Sequence, residues 1–172
     1  RGPVTYRVEA MSPSLAKATL LRLWRDNLHV ETSPEHKFHW LYEQAPWLPP
    51  HVFLLFAGAA ADPASDAAVG TAGLGERQFW HHGEPVSAGR AADLAVDRSH
   101  RSVGPALAMV RTVKQAALDH HAFVYGFPNK LAAGVFKRAG YQNLGNVTRY
   151  VRVLRHAGYM ERIGPDELAR VP

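Results

Sequence analysis

The chain has 172 residues, 47% of them apolar and none of them cysteine. That suits one domain with a sizeable core, about 70% of the unfolded surface being removed when a chain of this size folds, and it excludes disulfides, thiolate metal sites and a cysteine nucleophile. Net charge is +5, but between Arg98 and Arg155 ten Lys or Arg residues face one acid, Asp119, so an anionic ligand is expected on the C-terminal half, a solvated basic face being the plainer alternative. No apolar run approaches the roughly 18 residues of a membrane span, and Arg1-Gly2-Pro3 opens no charged-then-apolar leader; the expectation is a soluble, cytoplasmic protein without membrane contact.

Val4–Ala10 alternates as a first strand, with Val4, Tyr6 and Val8 on one side. Ser12-Pro13 then starts a helix of about 16 residues whose apolar stripe is Ala18, Leu21, Trp24 and Leu28. Ser33-Pro34-Glu35 repeats the start signal, and Phe38, Leu41, Tyr42 and Ala45 form a second stripe that stops at Pro46. His51–Ala57 is apolar throughout and reads as a central strand, and Gly58–Asp66 as a loop. Val69–Trp80 and Val86–Val96 pair as a hairpin around His82-Gly83-Glu84-Pro85. A long helix follows, buried along Val103, Leu107, Val110, Val113 and Ala117; because it joins them, Phe123–Phe127 should lie parallel to the strand that contains Asp93. A short helix ending near Arg138, a last strand at Val147–Leu154 and a weakly structured tail with one short helix after Pro165 complete the chain.

The segment Asp93–Ala106 carries the strongest functional signal. A strand, a turn containing Gly104 and a helix N-terminus make an anion site, because the first helical turn leaves backbone N–H groups free and the macrodipole adds about half a positive charge. Arg101-Ser102-Val103-Gly104-Pro105-Ala106 resembles the Gln/Arg-x-x-Gly-x-Gly/Ala pyrophosphate loop of the GNAT superfamily, the acyl-coenzyme-A-dependent N-acetyltransferases. Asn129, Ala132, Phe136, Arg138, Gly140 and Tyr141 are similar to that family's second signature, Asn-x-x-Ala-x-x-x-Tyr-x-Lys-x-Gly-Phe. The likeness is strongest over residues 85–155. It implies an α/β (α+β) fold with a mostly antiparallel sheet, splayed at one parallel strand pair and flanked by about four helices. One such domain would span 1–172: a strand and two acceptor-side helices in 1–50, the sheet and acyl-coenzyme-A-binding core in 51–155, and a tail in 156–172.

The resemblance further implies acetyl-CoA or another acyl-CoA as co-substrate, no metal, and a small-molecule or peptide amine as acceptor. Acyl-coenzyme A would contact the backbone of Leu94, Ala95 and Val96, the loop residues Arg101, Ser102, Val103, Gly104, Pro105 and Ala106, and Asn129 and Phe136. Asn129 would serve the pantetheine, cap the following helix, or both. Asp93 is the candidate base, or else a structural carboxylate bonded to a nearby loop or to Arg90, with Glu76 in reserve. Trp40, Tyr42 and Trp47 would wall the acceptor pocket, packing being the alternative. Phe136 stands where many family members place the Tyr that protonates the leaving thiolate, so Tyr125, Tyr141 or water would replace it, unless catalysis is lost. Pro105 removes one N–H from the phosphate cradle. A silent acyl-coenzyme-A- or partner-binding module and a basic nucleic-acid-binding module are the competing readings, the latter disfavoured because the basic residues gather on the motif helix and loop. The His36/His39, His81-His82 and His120-His121 groups lack a His-Glu-x-x-His pattern, adjacent histidines being expected to point apart in a strand, and no Gly-x-Ser-x-Gly occurs. Only one strand follows the fourth helix where the family commonly has two; the other would lie in the tail, come from a partner subunit or belong to a longer protein, and a strand-exchanging or sheet-edge homodimer is the corresponding expectation.

Overall fold

The structure, a computed structural model, describes residues 4–28, 33–44, 51–58, 68–148 and 150. Strands β1 (Tyr6–Met11), β2 (His51–Ala57), β3 (Ala68–His81), β4 (Glu84–Val96) and β5 (Phe123–Gly126) form a five-stranded sheet in that order. The pairs from β1 to β4 are antiparallel and β4–β5 is parallel. Parallel pairing follows from the connection, because helix α3 (Val103–Leu118) carries the chain back across the sheet before β5 begins. Helices α1 (Pro13–Asn27) and α2 (Pro34–Phe38) precede β2, and α4 (Lys130–Arg138) follows β5.

Strand β2 is apolar throughout because both its faces are covered. Val52, Leu54 and Phe56 pack with Trp24, Leu20 and Phe38 of α1 and α2, whereas Phe53 and Leu55 join Met109, Val110 and Val113 of α3 and Phe136 of α4. The α1 stripe differs from the expected one. Leu21 and Trp24 are buried and Leu28 packs against the same cluster as expected, but Ala18 is exposed, and Ala16, Leu20 and Leu23 complete the buried face. Val103 is likewise exposed, since it opens α3 beyond the sheet, and Pro105 is buried there. Helix α2 is short because the chain widens at His39–Glu43 into a π-helical turn, which stacks Tyr42 on Phe38 at a ring separation of 5.3 Å.

The β3–β4 turn is tighter than expected. Pairing continues to His81 and Glu84, leaving only His82 and Gly83, both with positive φ (51° and 83°), as in a two-residue hairpin turn. His82 thereby leaves the strand, and its ring sits 4.1 Å from that of His81, rather than pointing away from it. The first strand runs Tyr6–Met11 instead of Val4–Ala10, and Val4 is exposed. Of the strand expected over Val147–Leu154, Val147, Thr148 and Tyr150 carry no strand structure. Its other positions, residues 155–172, Ala45, Pro46, Trp47 and most of the Gly58–Asp66 segment lie outside the described residues.

Candidate active site

The parallel pair β4–β5 is hydrogen-bonded only from Ala88/Phe123 to Ala91/Gly126, so the backbone from Ala92 to Val96 has no β5 partner. The sheet opens there. The gap is an apolar cleft lined by Ala91, Ala92 and Leu94 of β4, Ala72 of β3, Val110 and Val113 of α3 and Phe136 of α4. Gly126 sits beneath Phe136, where an added Cβ would come within 3.1 Å of both the Phe136 ring and the Ala91 carbonyl.

Within this opening β4 carries a bulge. Thr71 pairs with Ala95 and Gly73 with Ala92, so Ala72 alone opposes two residues, Asp93 and Leu94. Asp93 takes the strained residue of the bulge at φ 55°, a left-handed conformation that Asp tolerates better than most side chains. The extra residue resets the alternation. Before it, Gly89 and Ala91 face α3; after it, Leu94 and Val96 do. Asp93 itself turns to the opposite face, under α2.

There its carboxylate accepts hydrogen bonds from Lys37 Nζ at 2.6 Å and from the Tyr42 hydroxyl at 3.2 Å. The Lys37 and Asp93 side chains are only 21% and 11% exposed. Lys37 also lies over the Trp24 ring, 4.3 Å from its centroid. Burial, followed by the neighbouring Asp93 charge, pushes the Tyr42 hydroxyl pKa well above its ordinary range, so Tyr42 is a neutral donor. Gly73 makes room for it, since a Cβ there would lie 2.2 Å from the Tyr42 oxygen.

Beyond the bulge the chain makes a short 3₁₀ turn, Arg98–His100, capped by the Asp97 carboxylate, which accepts from the Ser99 N–H at 2.9 Å. Arg101 spans the junction, its Nε donating to the Val96 carbonyl (3.0 Å) and its Nη2 to Asn27 (3.2 Å). The Ser102 N–H is bonded to the His100 carbonyl, and α3 opens at Val103 without a side-chain cap. Val103, Gly104 and Ala106 thus present helix-terminal N–H groups, Pro105 having none to offer. Gly104 is exposed, and a Cβ built on it meets nothing within 4 Å. This helix end and the mouth of the apolar cleft are joined by the same run of chain, residues 92–106.

The structure places the other expected residues as follows. Asn129 caps α4, its Oδ1 accepting from Ala132 N–H at 2.9 Å. Phe136 is buried in the cleft wall against Tyr141, ring to ring at 4.8 Å. The Tyr141 hydroxyl is buried without a partner among the described residues, and burial raises its pKa to about 12. Tyr125 lies on the face of β5 away from α3, edge-on to Phe79 at 5.4 Å and to Phe127 at 5.8 Å. Trp40 is 64% exposed, and Trp47 is outside the described residues. Glu76, the reserve base, is not brought to Asp93. It faces α3, where it accepts from Ser87 Oγ at 3.1 Å, and Ser87 also bonds His121 at 2.6 Å.

Two contributors escaped the sequence reading. Lys37 and Gly73 become partners of Asp93 and Tyr42 only through contacts across 56 and 31 residues, and neither has a local signature. Among the described residues no three His, Asp or Glu side chains gather as metal ligands, and no helix is long and apolar enough to cross a membrane.

The five-stranded sheet with its single parallel, partly open β4–β5 pair and its flanking helices has the GNAT fold. Solved structures agree. An acetyltransferase of Trypanosoma brucei superposes with a TM-score of 0.61 at 14% identity, covering 86% of this chain and 100% of that one. Glucosamine-6-phosphate N-acetyltransferase of Arabidopsis thaliana gives 0.61 at 11% identity over 88% and 99%. An aminoglycoside 6'-N-acetyltransferase of Acinetobacter haemolyticus gives 0.61 at 15% identity over 87% and 99%. No protein-family model matches the chain, and no curated protein matches it in sequence.

Proposed function

We propose that the chain is an acyl-coenzyme-A-dependent N-acyltransferase that passes acetyl or another short acyl group to a primary amine by direct attack. One observation carries this: β4 parts from β5 after Ala91, with a small apolar pocket on its α3 face, Asp93 on the other face, and the α3 N-terminus next along the chain. An apolar lining followed in the chain by a helix N-terminus suits a ligand with an apolar arm and an anionic end. In this reading the pantetheine lies along the unpaired β4 backbone at Leu94, Ala95 and Val96, on the side of Phe136. The pyrophosphate fits the N–H groups of Val103, Gly104 and Ala106, with Arg101 and Ser102 shaping the loop.

In this reading the neutral amine attacks the thioester carbonyl, the new N–C bond forms and the C–S bond breaks. The amine proton leaves toward Asp93, directly or through water, and a backbone N–H of the unpaired β4 segment donates to the oxyanion. The thiolate leaves with a proton from Tyr141, whose ring packs against Phe136, or from water. Tyr42 and Lys37 hold Asp93, and Trp40 borders the acceptor side. The acceptor is a small molecule or peptide amine, and the edge at β5 joins two copies of the chain.

The test is a thermal shift with acetyl-CoA, free coenzyme A and longer acyl forms, followed by thiol release with an amine panel. Stabilisation ranked by acyl length, then amine-dependent thiol release, is the expected result; no shift with any of them ends this reading. A second reading has its own observation, since Phe136 offers no hydroxyl where the family's proton donor stands. A silent acyl-coenzyme-A binder would shift in melting yet release no thiol with any amine.

A further inference from the structure

Lys37 Nζ lies 2.6 Å from Asp93 Oδ1, the hydrogen-bond distance at which an acceptor amine must stand if that carboxylate is to take its proton. Asp93 belongs to the stretch of β4, Ala92 to Val96, that has no β5 partner and along which the acyl arm lies in the transferase reading. A lysine ordinarily carries its head group into water, but this side chain is only 21% exposed and is turned onto the carboxylate. The Trp24 ring centroid is 4.3 Å from Nζ, and Tyr42 holds the other carboxylate oxygen at 3.2 Å. The other lysines stand elsewhere. Lys17 pairs with Glu43 at 2.7 Å, Lys114 donates to the Ala139 carbonyl at 3.0 Å, and Lys130 and Lys137 are exposed on α4.

The ε-amine of lysine is a primary amine, the class of acceptor that the transferase reading requires. As an ammonium it is no nucleophile, and loss of one proton makes it one. Lys37 thus meets the geometric demand on an acceptor without any added substrate.

We infer that the chain acylates itself at Lys37 when acyl-CoA is bound. One Nζ proton passes to Asp93 and on to solvent, the neutral nitrogen attacks the thioester carbonyl, the N–C bond forms and the C–S bond breaks, and a second Nζ proton neutralises the thiolate. This rests on the transferase reading above and goes beyond it, adding a modification site within the same chain. The amide formed is uncharged, so acylation ends the ion pair with Asp93 and the contact of a cation with the Trp24 ring, leaving the carboxylate its hydrogen bond from Tyr42.

The experiment incubates the full chain with saturating acetyl-CoA and no added amine, follows its intact mass, and locates the acetyl group by peptide mass analysis. Lys37 should be acetylated about tenfold or more faster than Lys17, Lys114, Lys130 or Lys137, and the preference should vanish in urea. The rate per chain should not change on dilution, because donor site and acceptor lie in one molecule. Lys37→Arg keeps a cation beside Asp93 and should remove this label. Asp93→Asn should slow acetylation of Lys37 about tenfold or more while the acetyl-CoA melting shift persists. Labelling spread evenly over the lysines, a preference that survives unfolding, a rate that falls on dilution, or a Lys37 rate unchanged by Asp93→Asn overturns the inference. The melting shift on the same preparation separates the two readings. A wild-type shift with Lys37 unlabelled overturns this inference alone, and no shift with no label removes the transferase reading as well.

Discussion

Lys37 Nζ and the Asp93 carboxylate meet at 2.6 Å across the opened edge of the sheet, joining α2 to the bulge in β4. The pair is mostly buried, so each charge depends on the other. Lys37→Met leaves the carboxylate with Tyr42 alone and should lower stability by about 1–3 kcal/mol in urea unfolding. The double variant Lys37→Met/Asp93→Asn should cost less than the sum of the two single changes, since the second removes the charge that the first strands.

Asp93→Asn keeps the shape of the site and removes the carboxylate proposed as the proton acceptor. Amine-dependent thiol release should fall about a hundredfold at neutral pH, a typical loss for a general base, while the acetyl-CoA melting shift persists. A rate within twofold of wild type would leave Asp93 as a purely structural partner of Lys37.

Gly104 separates binding from folding. A side chain there meets no protein atom, so Gly104→Leu should leave urea stability within about 0.5 kcal/mol while abolishing the acetyl-CoA melting shift. Retained affinity would remove the α3 N-terminus from the ligand site.

Gly73→Ala should have the opposite signature. Its Cβ would fall 2.2 Å from the Tyr42 oxygen, forcing that ring off Asp93 at a cost of about 1–3 kcal/mol, read as a lower urea midpoint. The hydrogen bond from Tyr42 to Asp93 would be lost in the same step.

Tyr141 predicts an alkaline effect. Its folded pKa is raised from an ordinary value near 10 to about 12, so the folded state holds the proton more tightly than the unfolded chain. The stability this contributes is complete below pH 10 and is lost as pH rises through 12. Melting temperatures measured from pH 8 to 12 should therefore fall more steeply for wild type than for Tyr141→Phe.

The strands and long helices were readable because their signals are local. Two-sided burial made β2 a continuous apolar run, and Ser33 with Pro34 announced α2 by a cap that the structure shows, Ser33 Oγ accepting from His36 N–H at 3.0 Å. The cap of α4 was equally local, Asn129 Oδ1 accepting from the Ala132 N–H three residues on. The bulge at Asp93 was not readable. Asp93–Val96 alternates as an ordinary strand would, and the left-handed residue shows only once β4 must match β3 on one side and part from β5 on the other.

The sequence by itself determined the order of elements from β1 to α4, the parallel placement of β5 and the start of α3 after Ser102, because periodicity, capping and chain connection need no distant partner. Tertiary structure alone decided that Lys37, Tyr42 and Gly73 converge on Asp93 and that Glu76 faces away from it. These depend on register and on which sheet face a side chain takes, and one inserted residue in β4 reverses that alternation without altering the composition of the strand.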